Sequence, residues 1–263
     1  MESNMTKAQY TEHEIEIGKN GAKEKAARSA QVAGSAKAKL KTYSLDLRIH
    51  SPVSLGYFGM DSVDALPALV RLAKTKGLDV IAVTDFYSSE PIDRVKIAAQ
   101  ESGLVVIPGV DIRVATPECD DIHLTCIFPE ETSSNDIAHF LSALNVPTQA
   151  RGKQSYIVPL ELAQVLNCLD VHAGGCFPSR MDKTPARMGA IPRLVDSFGF
   201  RSFDLAYTDS ARFFQARWPQ EKFNLFSFSN ANALAQVGSR SARVKLEQAN
   251  FSALLQLIKR VKC

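Results

Sequence analysis

The sequence contains no long apolar run. Within its 263 residues, no uninterrupted hydrophobic segment approaches the ~20 residues that a membrane-spanning helix needs. The first residues, MESNMTKAQYTEHE, also lack the basic start and the apolar centre of a secretory signal. We therefore expect a cytoplasmic protein with no membrane partner.

Cysteine and net charge are also scarce. The five cysteines are an odd number without a CxxC pair, so neither a disulfide framework nor a zinc ribbon is predicted. The formal net charge is +3, and all of it lies in residues 1–41, which hold eight basic and five acidic residues. The remaining residues carry 23 of the 31 basic and 23 of the 28 acidic side chains. This balance gives no indication of a large basic face for nucleic acid.

The first 41 residues are rich in Ala, Lys and Ser and have few large apolar side chains. Such a segment cannot bury enough surface to fold alone. We assign residues 1–41 to a basic extension that is disordered or weakly helical, and residues 42–263 to one barrel domain. The extension is either a solvated segment or a basic arm for nucleic acid or an acidic partner, and nucleic acid is expected as a partner only through it.

Strand and helix patterns alternate about seven times after the extension, which indicates an α/β fold with a parallel sheet or a closed barrel. The first strand, 43–49, has Leu45 and Leu47 on one face and Asp46 and Arg48 on the other. In such barrels the chemistry lies at the C-terminal ends of the strands. The polar residues predicted there are Arg48, His50, Asp85, Asp111, Arg113, His123, Ser179, Arg180, Asp209, Asn230 and Asn232.

Six motifs resemble, in order, those of the PHP (polymerase and histidinol phosphatase) family. They are DLRIHSPVSLG, AKTKGLD, VIAVTDF, VIPGVDI, IHLTCIF and FSFSNAN, spread over residues 43–240. The resemblance implies a distorted TIM-like (βα)7 barrel. It also implies a metal-dependent phosphoesterase, in which His, Asp and Glu hold a cluster of divalent ions.

The sequence departs from the family's pattern at most of the ligand positions. Arg48 stands at the first His, Leu55 at the Asp of SDG, Phe86 at the His of TDH, and Asn230 and Asn232 at the late DxH. A guanidinium keeps its proton and cannot donate a lone pair to a metal. Leucine and phenylalanine offer no ligand atom, and neutral amides are poor substitutes for Asp and His. A complete multinuclear centre is therefore not expected.

Three positions keep the potential to bind a metal: His50, Asp111 and His123. The first hypothesis is a catalytically degenerate protein, without a cofactor, that binds a small phosphorylated ligand. Arginine forks suit phosphate oxygens, and the ligand-binding residues predicted on this basis are Arg48, Asp85, Arg113, Arg180, Lys183, Asn230 and Asn232. The alternative is an active phosphoesterase with a single Mn, Fe or Zn ion on the three remaining ligands. Its predicted catalytic residues are His50, Asp111 and Arg48.

Overall fold

The computed structural model describes residues 39–51 and 65–261. Most of the N-terminal extension lies outside the described residues. The same holds for residues 52–64, which include Leu55. The predictions that concern these segments stay predictions.

Eight strands lie in the described part of the chain: β1 (Lys41–Ile49), β2 (Val80–Val83), β3 (Val105–Thr116), β4 (Cys119–Ile127), β5 (Gly175–Pro178), β6 (Ser202–Asp204), β7 (Asn224–Phe226) and β8 (Ala242–Leu246). The same residues form seven α-helices: α1 (Leu66–Thr75), α2 (Ile92–Ala99), α3 (Ser134–Ala143), α4 (Leu162–Val171), α5 (Pro185–Asp196), α6 (Ala211–Arg217) and α7 (Phe251–Ile258). None of the described helices is long and apolar enough to cross a membrane.

The strands form a curled six-stranded sheet, in the order β5-β4-β3-β2-β1-β8, and a two-stranded sheet of β6 and β7. Two isolated parallel bridges join the sheets. Ser179 at the end of β5 pairs with Asp204 of β6, and Ile49 of β1 pairs with Ala231 beyond β7. The result is the distorted TIM-like barrel that the sequence predicted.

The sheet is mixed, whereas strand–helix alternation favoured parallel strands. β4 is antiparallel to both β3 and β5, and β8 is antiparallel to β1. The physical reason is the connection: β3 ends at Thr116 and β4 begins at Cys119. Two residues suffice for a hairpin, but a parallel crossover needs a dozen or more. The N-terminal half of β4 consequently lies beside the C-terminal half of β3, at the site end of the barrel.

Asp46 ties the segment after β7 to β1. Its carboxylate is buried and accepts the backbone N–H groups of Ser229 and Gly238, each over 3.2 Å. Burial raises the pKa of Asp46 from 3.8 to about 6, although these hydrogen bonds oppose the rise. Asp46 therefore holds Asn230, the residue after Ser229, at the end of the barrel where Arg48 and His50 lie.

Asp46 is expected to make the protein less stable as the pH rises from about 4 to 6. Within this window the folded chain holds a proton on Asp46 that the unfolded chain has released. The free energy of unfolding should thus fall by about 1.4 kcal/mol per pH unit from this group. In urea titrations, the stability of wild type relative to Asp46→Asn should therefore fall as the pH rises from about 4 to 6, and a difference that stays constant with pH would contradict the prediction.

Candidate functional site

Arg48 lies at the centre of a buried polar cluster at the C-terminal end of β1. Its side chain is 2% exposed. Nε donates a hydrogen bond to Oδ2 of Asp111 on β3 over 3.0 Å, and Nη2 lies 3.0 Å from the ring nitrogens of His123 on β4. Nη1 lies 3.5 Å from Oδ2 of Asp204 on β6, a charge contact that lacks hydrogen-bond geometry. One fixed cation therefore contacts two carboxylates from different strands.

Asp111 has both of its oxygens occupied by protein groups. Oδ1 accepts a hydrogen bond from Thr125 Oγ1 over 2.7 Å, and Thr125 Oγ1 lies 2.8 Å from Ser179 Oγ. Oδ2 contacts Arg48 and, over 3.0 Å, His123 Nε2. Burial alone would raise the pKa of Asp111, but Arg48 and His123 hold it well below its usual range. Asp111 is therefore a carboxylate at neutral pH.

His123 is neutral and has neither ring nitrogen free. Burial, followed by the positive charge of Arg48, lowers the pKa of His123 to about 3. The neutral tautomer with its proton on Nε2 satisfies both contacts. Nε2–H then donates to Asp111, and the Nδ1 lone pair accepts from Arg48.

Asp204 connects the central cation to a second arginine. Oδ1 accepts the backbone N–H of Phe228 over 2.9 Å, and Oδ2 lies 3.5 Å from both Arg48 Nη1 and Arg180 Nε. Burial raises the pKa of Asp204 to about 6, against the lowering effect of the two arginines. Two guanidinium groups therefore share one carboxylate oxygen inside the barrel.

Phe86 stands between the two histidines of the cluster. Its ring stacks on His50 with centroids 5.0 Å apart and an interplanar angle of 13°, and lies 5.1 Å from the His123 ring. His50 Nε2 is 3.4 Å from Asn230 Oδ1 and 3.8 Å from Asp111 Oδ2. Burial lowers the pKa of His50, so this imidazole is also neutral. An apolar ring thus occupies the space between the two imidazoles.

A divalent ion does not fit this arrangement. The structure brings His50, Asp111 and His123 together, as the sequence predicted for a single ion. However, both nitrogens of His123 and both oxygens of Asp111 already contact protein groups, and the Arg48 cation lies 3.0 Å from each of these two residues. Among residues 39–51 and 65–261, no group of three or more His, Cys, Asp or Glu side chains could hold a metal ion.

The other residues predicted to bind a ligand have different environments. Asp85 is buried and accepts hydrogen bonds from the backbone and hydroxyl of Ser51, over 2.8 and 2.6 Å. Arg113 pairs with Asp121 over 3.0 Å. The Arg180 guanidinium donates to the Phe228 carbonyl over 3.1 Å, and its side chain is 11% exposed.

Lys183, Asn232 and Asp209 lie outside the buried cluster. Lys183 is exposed. The Asn232 backbone N–H donates to Gln236 Oε1 over 3.0 Å. Asp209, expected at the end of a strand, is exposed in the 3-10 turn Thr208–Ser210. Arg48, Asp111, His123 and His50 are therefore close together, and Lys183, Asn232 and Asp209 are not part of their network.

Sequence reasoning missed Asp204 and Thr125. Asp204 ends β6, so it, and not Asp209, is the carboxylate at that strand end. A signal was present, because Asp204 is the acidic residue inside the apolar run FDLA. Thr125 lies directly opposite Asp111 in the β3–β4 pair. This register required the antiparallel β4, which strand–helix alternation did not predict.

A curled barrel with a polar cluster at its strand ends is the architecture of PHP-type phosphoesterase-like proteins. The PHP domain model matches residues 46–181, just over half of the chain, and the chain belongs to this family. This confirms the resemblance inferred from the six motifs. A search of curated protein sequences found no match.

Solved structures with the same fold include the lesion-specific endonuclease PfuEndoQ from Pyrococcus furiosus, with a TM-score of 0.60 and 16% identity over 83% of this chain and 56% of that one. A two-domain Bacteroides vulgatus protein containing a predicted PHP-like metal-dependent phosphoesterase matches with a TM-score of 0.57 and 14% identity, over 83% and 63% of the chains. A Chromobacterium violaceum amidohydrolase with bound sulfate and no metal matches with a TM-score of 0.53 and 11% identity, over 75% of this chain and 90% of that one. The chain thus spans little more than half the length of the Pyrococcus endonuclease.

Proposed function

We propose that this protein is a catalytically degenerate PHP-domain protein that binds a phosphorylated ligand without hydrolysing it. The observation that carries the proposal is the position of the Arg48 guanidinium, 3.0 Å from Asp111 and 3.5 Å from Asp204. These carboxylates would otherwise require a metal ion or protons to balance their charge. Arg48, together with Arg180 beside Asp204, balances it permanently, but a guanidinium cannot activate a water molecule as a metal can.

Arg180 is the residue through which we expect the ligand to contact this centre. Its Nε has no hydrogen-bond partner in the described part of the chain, and its side chain, unlike that of Arg48, is partly exposed. Its backbone is left-handed, with φ 54°, and so is that of Asn230, with φ 51°. Such conformations are costly for residues other than glycine and are often found at functional sites.

A similar fold binds a tetrahedral oxyanion in the absence of a metal. The structure of the Chromobacterium violaceum amidohydrolase contains sulfate and no metal, and sulfate has the shape of a phosphate group. In this chain Arg48 and Arg180 are already balanced by Asp111 and Asp204, so a bound phosphate needs further positive charge. Lys183 is exposed and forms no ion pair with the described residues, and it can supply part of that charge.

The proposal predicts phosphate binding without metal-dependent hydrolysis. Chain purified without chelator should contain far less than one divalent ion per molecule, and p-nitrophenyl phosphate should not be hydrolysed faster after addition of Mn²⁺, Zn²⁺ or Mg²⁺. Isothermal titration with inorganic phosphate should detect binding that weakens about tenfold in Arg180→Gln. A tightly bound ion together with metal-stimulated hydrolysis would overturn the proposal, and so would absence of phosphate binding.

Two further variants isolate the role of Arg180. Arg180→Lys keeps the charge beside Asp204 but loses the guanidinium fork, so its affinity for phosphate should lie between those of the wild type and Arg180→Gln. Arg217→Gln removes an exposed arginine at the C-terminal end of α6 and should leave phosphate binding unchanged.

A further inference from the structure

Three arginines form a series from the interior of the barrel to its surface. Arg48 is buried, the Arg180 side chain is 11% exposed, and Arg240 is exposed. Asp204 lies between the first two, 3.5 Å from each. Arg240 forms no ion pair with any residue that the structure describes. The outer end of the series therefore carries positive charge that the described carboxylates do not balance.

Arg240 is held in place even though it lacks an acidic partner. Its Nη1 donates to the Ala206 carbonyl over 2.7 Å and lies 3.4 Å from Ser227 Oγ. The Arg180 guanidinium donates to the Phe228 carbonyl over 3.1 Å, so the two guanidinium groups contact adjacent residues, Ser227 and Phe228. In keeping with this placement, the charge of Arg240 contributes, after burial and the charge of Arg48, to lowering the pKa of Arg180. An anion between the two guanidinium groups would relieve the repulsion of their like charges.

An exposed aromatic residue follows directly after the residue whose carbonyl Arg240 contacts. Tyr207 follows Ala206 directly, and its side chain is one of the exposed large hydrophobic groups, at 57%. Its backbone is firmly held, because the Asp182 carboxylate accepts the N–H groups of Ala206 and Tyr207 and the hydroxyl of Ser210, each over 2.8 Å. A fixed loop thus presents a flat ring to solvent at the residue that follows the carbonyl contacted by Arg240.

We propose that Arg180, Arg240 and Tyr207 form a subsite for a nucleotide, with the phosphate between the two guanidinium groups and the base against the tyrosine ring. These residues suit a ligand that has a phosphate group and a planar base, since arginine forks bind phosphate oxygens and bases stack on aromatic side chains. The inference rests on the proposed function and adds the class of ligand. A free nucleotide and the 5′ end of a single strand share this chemistry.

The test compares three probes on the 263-residue chain: inorganic phosphate, ribose 5-phosphate and adenosine 5′-monophosphate. Adenosine monophosphate should bind about tenfold more tightly than ribose 5-phosphate, because the base adds a stacking contact. Tyr207→Ala should abolish this difference, and Tyr207→Phe should retain it. Arg240→Gln should weaken all three probes about tenfold, whereas the matched control Arg217→Gln should change none of them.

The outcomes separate this inference from the proposed function. Failure of all three probes to bind would overturn the proposed function. Equal binding of ribose 5-phosphate and adenosine monophosphate, or a preference that survives in Tyr207→Ala, would overturn the nucleotide subsite alone. A 5′-phosphorylated tetranucleotide distinguishes a free nucleotide from the 5′ end of a single strand as the ligand. Tighter binding than adenosine monophosphate supports a strand end, and equal or weaker binding supports a free nucleotide.

Discussion

Replacing Arg48 with methionine is expected to lower the free energy of unfolding by about 3–5 kcal/mol, because it leaves the buried Asp111 without a cationic partner and Asp204 with Arg180 alone. Asp111 and Asp204 are fully buried, and Arg48 contacts both, at 3.0 and 3.5 Å. Methionine has a similar length and fills much of the same space, so the loss reports mainly on the charge. Urea denaturation at pH 7.5, with unfolding followed by circular dichroism, measures it.

The pH dependence of this loss distinguishes charge from packing. Without Arg48 the pKa values of Asp111 and Asp204 in the folded chain must rise, so the folded variant binds more protons than the folded wild type. The difference in stability between Arg48→Met and wild type should therefore shrink as the pH falls from 8 to 5. A deficit that stays constant over this range would attribute the effect to packing and contradict the prediction.

Two other variants serve as controls for Arg48→Met. Arg48→Lys retains a positive charge but loses the planar fork, so it should be less destabilising. Arg193→Met breaks the ion pair with Glu118, in which the two side chains are 42% and 35% exposed, and should be far less destabilising than Arg48→Met because solvent screens this pair. If Arg48→Met cost no more than Arg193→Met, Arg48 would not be the buried counter-charge of this cluster.

The double variant Arg48→His/Phe86→His is expected to gain a divalent ion. The change removes the guanidinium from Asp111 and His123 and replaces the ring that stacks on His50. It leaves imidazole and carboxylate groups close together, a ligand set that suits Zn²⁺ or Mn²⁺. Equilibrium dialysis followed by elemental analysis should find about one ion per chain for the double variant and far less for wild type.

The single variant Phe86→His is the matched control for metal binding. It adds an imidazole but keeps Arg48, whose guanidinium still donates hydrogen bonds to the His123 ring and to an oxygen of Asp111. It should therefore bind little metal, and the ion should raise the melting temperature of the double variant only. Binding by wild type as tight as by the double variant would mean that Arg48 and Phe86 do not exclude metal ions, which favours the single-ion phosphoesterase.

The strands and helices of the barrel could be predicted from local patterns, because each hydrophobic pattern depends only on the residues of its own strand or helix. β1 was expected over residues 43–49 and spans Lys41–Ile49. Strand direction could not be obtained in this way. The short connection between Thr116 and Cys119 makes β4 antiparallel, and alternation of strands and helices does not report this.

The candidate site was predictable in part. Arg48, Asp111 and His123 follow from motif positions, and the structure places them in contact. At the end of β6 the prediction named Asp209 and missed Asp204, five residues earlier, because the end of a short strand is difficult to locate from one sequence. The roles proposed for these residues, and the division between extension and barrel domain, stay predictions.

The sequence by itself determined the family and the residue types at the positions where the family's pattern has metal ligands, since both depend on which residues occur in which motif. Neither the arginine at residue 48 nor the phenylalanine at residue 86 offers a ligand atom to a metal, wherever the chain places it. Only the tertiary structure decided what Arg48 does instead. Its partners come from strands far along the chain, Asp111 on β3 and Asp204 on β6, and barrel closure brings them within 3.5 Å or less of one guanidinium. Burial at that point makes the charge contacts strong and fixes the cation within the protein.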